Sequence, residues 1–147
     1  MTIFVDADAC PVKHEIFSLA RQYNVESVFV SSYNHFSHDQ TMKWVYVDTE
    51  KEAVDLYIVN HAHRGDVVVT QDIGLASMLV NRQIYVVSPR GSVYREEEMG
   101  QRLYARYLQA KQRRQGIYGK GMKRFSAEER QAFRKSFEKI LSKLAGK

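Results

Sequence analysis

Two aspartates, Asp6 and Asp8, follow the apolar run Ile3-Phe4-Val5 at the start of the chain. Carboxylates this close repel one another, and a divalent cation is the commonest reason to hold them together. Two further acids are candidates to join them. Asp72 follows the run Val67-Val68-Val69-Thr70, and Asp55 shares a helical side with Ile58, Val59 and Ala62. An acid on a partly apolar face is unusual unless it points into a site. Asp6, Asp8, Asp55 and Asp72 together make a hard-oxygen donor set of the kind Mg²⁺ or Mn²⁺ takes. One or two such ions activate a water and stabilise the leaving oxygen of a phosphodiester, so the four acids are read as both metal-holding and catalytic. The plainer alternatives stay open. Asp8 can cap the next helix with Asp6 solvated in a turn, and Asp55 can pair with Lys51 one turn earlier.

Other side chains suit a phosphate. Ser31 and Ser32 end an apolar run, Thr70 ends another, Lys13 lies one turn into a helical pattern, and Arg90 stands in the turn Ser88-Pro89-Arg90-Gly91. Ser31 and Ser32 also read as turn residues, and Arg90 as a partner of a structural carboxylate. Zinc is not expected. His61 and His63 are two apart and do not share a helical face, and His35 and His38 lack cysteine partners. The single cysteine, Cys10, reads as a small buried hydrophobe. One cysteine excludes an internal disulfide framework and fits a reducing cytoplasm.

These residues need elements to hold them. Strands are predicted at Thr2–Val5, Ser27–Val30, Trp44–Val47, Val67–Thr70 and Ile84–Val87. Helices are predicted at Pro11–Tyr23, Thr49–Ala62 and Gly74–Asn81. Thr49 with Glu52 matches capping-box spacing for the second helix, and a polar loop over 34–41 carries His35, His38 and Asp39. Short β-branched strands alternating with helices predict an α/β fold, a single doubly wound and mainly parallel sheet of about five strands between helical layers. If the first and fourth strands are neighbours there, Asp6, Asp8 and Asp72 converge at the topological switch point.

A single domain over 1–147 is expected, with an α/β core over 1–94 and a basic helical segment over 95–147. The core part holds 7 Lys+Arg against 11 Asp+Glu, and the remainder 15 against 6. A helix over Glu96–Gln115 would set Met99, Leu103, Tyr107 and Ala110 on one packed side. A glycine-rich break over Gly116–Gly121 follows, then a last helix capped by Ser126 and Glu129 with a stripe of Phe133, Phe137, Ile140, Leu141 and Leu144. An acidic site joined to a basic arm suits a polyanion, with RNA as the expected partner. Tyr104, Tyr107 and Tyr118 among the arginines could stack on bases, with packing the favoured reading for Tyr107. No apolar run is long enough to span a membrane, and no secretory leader is recognised.

Asp6-Ala7-Asp8-Ala9-Cys10-Pro11-Val12-Lys13 resembles the opening of the YaiI/YqxD family of uncharacterised bacterial proteins. The resemblance continues through Gly65-Asp66-Val67-Val68-Val69-Thr70-Gln71-Asp72-Ile73, Leu75-Ala76, Ser88-Pro89-Arg90-Gly91, Phe125-Ser126 and Arg130-Gln131-Ala132-Phe133. That family is similar to PIN-like nuclease domains, whose acids hold Mg²⁺ or Mn²⁺ to cut RNA. The similarity implies a PIN-like fold, with Asp6 and Asp72 at strand ends, Asp55 as the helical acid and Asp8 as an extra acid. The chain departs from the family at Gly119-Lys120-Gly121-Met122, where a Gly-Gly-Pro-like turn is common. Two other functions fit the same residues. Asp6 and Asp8 also resemble the nucleophile and acid of haloacid-dehalogenase-type phosphatases, with Asp66 and Asp72 imitating the later acidic motif. A non-catalytic RNA-binding module with a silent acid site fits as well.

Overall fold

The apolar runs become five strands, four of them buried on both faces and the edge strand at Lys43–Val47 only partly covered. In the computed structural model, which describes residues 1–33, 41–50, 52–116 and 125–146, β1 (Thr2–Asp6), β2 (Glu26–Ser32), β3 (Lys43–Val47), β4 (Val67–Val69) and β5 (Tyr85–Val87) form one sheet. Its order is β3-β2-β1-β4-β5 and all four pairings are parallel. Alternate residues of each strand face opposite layers. Ile3, Val5, Phe29, Val67, Val69 and Val87 pack with α1 (Lys13–Gln22) and α5 (Ala127–Leu144). Phe4, Val28, Val30, Val68 and Val86 pack with α2 (Ala53–His61) and α3 (Ile73–Leu79). This is a doubly wound α/β fold, as the alternating pattern predicts.

Several boundaries differ from the sequence expectation. α2 begins at Ala53 rather than Thr49, and its N-cap is Glu52 with no side-chain cap. The predicted Thr49–Glu52 capping box is therefore absent. The predicted third helix is α3 followed by a 3₁₀ turn at Val80–Arg82. Its predicted partner Glu96–Gln115 is a 3₁₀ turn at Glu96–Glu98 leading into α4 (Met99–Arg114). The capping box of α5 is present in full: Ser126 Oγ accepts the Glu129 N–H at 3.0 Å, and the Glu129 carboxylate accepts the Ser126 N–H at 3.2 Å. The predicted side of α4 is not buried as a stripe. Met99 is buried, whereas Leu103, Tyr104, Tyr107 and Leu108 are exposed. Tyr107, expected to pack, stacks instead on Tyr104 at 6.5 Å. The histidine loop with His35, His38 and Asp39, and the glycine-rich segment with Tyr118 and Lys120, lie outside the described residues. No described helix is long and apolar enough to cross a membrane.

Candidate active site: an acidic crevice bordered by arginines

β1 and β4 are neighbours at the point where the strand order reverses, which is where open α/β sheets form a crevice beyond their carboxyl ends. Asp6 is the last residue of β1, and Thr70 and Asp72 follow β4 directly. The Thr70 hydroxyl ties the two strand ends together. It donates to Asp6 Oδ2 at 2.8 Å and accepts the Asp72 N–H at 2.9 Å. Asp72 in turn caps α3, its Oδ1 accepting the N–H groups of Gly74 at 2.8 Å and Leu75 at 3.3 Å.

Asp55 reaches the same crevice from α2. Burial pushes its carboxyl up to about 7, and the charges of Asp72 and then Asp6 add to the rise, together with a side-chain hydrogen bond to Asp72. Burial also raises Asp6. The Thr70 hydrogen bond opposes that rise, and the charges of Asp72 and Asp8 reinforce it. Asp6, Asp55 and Asp72 thus form one electrostatic group, drawn from a strand end, a helix and a loop.

Asp8 is held differently. Its Oδ1 accepts the Ser31 hydroxyl at 2.6 Å and the Ser32 N–H at 2.9 Å. Asp8 is thereby tied to the end of β2, through the hydroxyl of Ser31 and the backbone N–H of Ser32. Lys13 turns back to the Cys10 carbonyl at 2.8 Å. Arg90 pairs with Glu129 and lies over the Phe125 ring, the structural alternative for this residue. Of the five phosphate candidates, only Thr70 stands in the crevice. Cys10 is buried, and burial pushes its thiol up to about 11, so it is inert at neutral pH. Asp66 lies at the opposite end of the sheet, where its carboxylate accepts the N–H groups of Thr2 and His63.

The residue that sequence reasoning missed is Arg106. Its guanidinium reaches Asp72 Oδ1 at 3.1 Å from the exposed α4. Gly74 leaves room for this pair, because a Cβ there would sit 3.1 Å from both Arg106 and Asp72. Arg102, Arg106 and Arg113 line a cavity of about 620 Å³ together with Asp72. The basic run from 102 to 124 marks α4 as cationic, but no motif connects position 106 with position 72.

Whether these acids suit a metal has two sides. Among the described residues no group of three or more His, Cys, Asp or Glu is disposed to hold a metal ion. The donor chemistry does suit a hard divalent cation. Three oxygen-only side chains share a partly buried crevice, and one of them is driven toward protonation by burial and then by its acidic neighbours, a cost that a cation offsets.

A doubly wound α/β protein with acids at its switch point is the class that fold and site define. Within it, the profile of the uncharacterised bacterial YaiI/YqxD family matches residues 4–143. The chain belongs to that family. It is 53% identical over 144 residues to a UPF0178 protein of Bacillus cytotoxicus, covering 98% of this chain and 95% of the relative. It is 53% identical over 143 residues to one of Bacillus velezensis, covering 96% and 85%. A UPF0178 protein of Listeria welshimeri is 51% identical over 133 residues, covering 90% and 89%. No solved structure matches the chain.

Proposed function

We propose that the chain is a metal-dependent nuclease of PIN-like type that cleaves RNA or single-stranded nucleic acid. The observation that carries this reading is the carboxyl group of Asp55, pushed up to about 7 by burial and by Asp72 and Asp6 at the switch point. Such a perturbed acid, in a crevice facing arginines, is what phosphodiester chemistry calls for. Asp6, Asp55 and Asp72 would hold Mg²⁺ or Mn²⁺, which when bound supplies an activated water and charge neutralisation. Thr70 keeps Asp6 and Asp72 in fixed relative position, while Asp8 shapes the β2 side of the crevice and adds negative charge beside Asp6. Arg102, Arg106 and Arg113 would take the backbone phosphates, and Arg106 would exchange Asp72 for substrate as the metal enters. Tyr104 and Tyr107, exposed between these arginines, offer faces for bases. Placement in the cytoplasm accords with a free, unpaired cysteine.

A phosphatase of haloacid-dehalogenase type draws less support. Asp8, its general acid, is committed to Ser31 and Ser32, and Asp66 stands at the wrong end of the sheet. The deciding experiment incubates wild-type protein and Asp6→Asn with end-labelled mixed-sequence RNA, in Mn²⁺ or in EDTA. Cutting that needs Mn²⁺ and is lost in Asp6→Asn is the expected result. Intact RNA in Mn²⁺ with the wild-type protein would overturn the proposal.

A further inference from the structure

A second cavity adjoins the acidic crevice, and we infer that it is a base-binding subsite. It takes the nucleobase of the nucleotide next to the phosphate held at the acids. The inference rests on the nucleic-acid reading above. The cavity measures about 430 Å³, inside the range of about 300–1,000 Å³ typical of small-molecule sites. Pro11 and Phe125 give it part-exposed apolar surface from separate parts of the chain, backed by the buried Pro89 and Tyr94. Such surface suits a planar heterocycle, because every base presents an apolar π-face.

The walls are built rather than loose. The Arg90 and Arg130 guanidinium groups lie 5.7 and 5.5 Å from the centre of the Phe125 ring. Arg90 is itself held by Glu129, and Arg130 by the Pro11 carbonyl. The turn on the opposite side is closed on Ser88, whose hydroxyl oxygen accepts the N–H groups of Arg90 at 3.3 Å and Ser92 at 3.2 Å. Gly91 seats that turn on α5. It has φ +88°, its carbonyl accepts the Ser136 hydroxyl at 2.8 Å, and a Cβ would come within 2.9 Å of Ser136.

Two residues make the cavities parts of one surface. Gln71 and Arg102 line both. Gln71 lies between Thr70 and Asp72 in sequence, and its amide donates to the Ala9 carbonyl at 3.1 Å, forming a post between the two spaces. Arg102 lies over Tyr94 at 5.2 Å and pairs with Glu98 at a long 3.6 Å. A phosphate offers it a shorter, two-oxygen partner. A strand whose phosphate meets the acids would therefore pass Arg102 and place its next base against Phe125.

The test is equilibrium binding in EDTA, with the full chain and a tetraribonucleotide carrying 2-aminopurine, whose fluorescence falls on stacking. Ser92→Trp obstructs the mouth from an exposed position, and Arg102→Ala removes the bridging cation; circular dichroism verifies that each folds. The expected result is quenching with wild type, and roughly 10-fold weaker binding in each variant, the size of one lost base contact. The 2-aminopurine ribonucleoside monophosphate should bind more weakly than the tetranucleotide. Absence of quenching, unchanged binding in both folded variants, or equal affinity for the mononucleotide would each overturn the subsite. Mn²⁺-dependent cutting without quenching would overturn the subsite and leave the nuclease reading standing. Quenching that weakens in Ser92→Trp, without cutting by the wild type, would support the subsite and overturn the nuclease; quenching unchanged in Ser92→Trp would overturn the subsite.

Discussion

α4 and α5 are both long, basic and marked with apolar residues every three or four positions, yet they end in opposite environments. α5 buries Phe133, Phe137, Ile140 and Leu141 against α1 and the sheet, whereas α4 buries Met99 alone and leaves Leu103, Tyr104 and Tyr107 38%, 63% and 55% exposed. α5 brings large, fully apolar side chains and a complete capping box, so its stripe repays burial. The exposed part of α4 carries tyrosines and small or aliphatic residues between arginines. The tyrosines and arginines keep a polar end in water, and Arg102, Arg106 and Arg113 stand beside an acidic crevice. The comparison teaches that the same periodicity can serve stability in one helix and remain available for ligand in the next.

The largest test of this contrast is Phe137→Ala. Emptying a fully buried aromatic position should lower unfolding stability by about 3–5 kcal/mol, read as a shifted urea midpoint. Tyr107→Ala should do the converse. Its stability should stay within about 0.5 kcal/mol of wild type, while RNA affinity in EDTA falls by about 1–3 kcal/mol if the ring stacks on a base. A large stability loss in Tyr107→Ala would erase the distinction between the helices. Ser126→Ala, which removes the α5 cap, should cost about 1 kcal/mol and leave RNA affinity alone. Arg106→Ala should flatten the salt dependence of RNA binding by about one unit of slope with little change in stability.

A pH series sharpens the same division from the crevice side. Asp55 titrates near 7 when folded, above its ordinary 3.8. The folded state therefore holds the extra proton between those values. The contribution of this group to stability is full below about pH 4, falls as pH rises toward 7, and is flat beyond. Asp6, also raised, acts in the same sense. In EDTA, wild-type stability minus that of Asp55→Asn should decline across this window. A flat difference curve would mean that the crevice does not perturb Asp55.

Much of the fold was legible because strands buried on both faces must be continuous apolar runs, as Ile3-Phe4-Val5 and Val67-Val68-Val69 are. Parallel neighbours then bring strand ends together, which is how Asp6 and Asp72 could be paired across 66 positions. Ser126 and Glu129 announced α5 because a capping box is a purely local device. The identical spacing at Thr49 and Glu52 misled, since the chain takes up helical geometry only at Ala53. The engagement of Asp8 by Ser31 and Ser32, and of Asp72 by Arg106, depends on side-chain reach between separate elements, to which no periodicity speaks. Burial of the α4 stripe was misjudged for a related reason: a pattern states what a helix could bury, and the neighbouring layers decide whether anything lies there.

The hydroxyl of Thr70 makes the two oxygens of Asp6 chemically unequal. A backbone N–H can only donate, so the bond from Asp72 fixes Thr70 Oγ1 as an acceptor on that side, and its own hydrogen is spent on Asp6 Oδ2. Asp6 Oδ2 is thereby the acceptor of this bond, so any proton that the carboxyl takes up belongs on Oδ1. One oxygen of this carboxylate serves as an anchor and the other as a titrating edge, and the polarity of the chain Asp72–Thr70–Asp6 determines which is which.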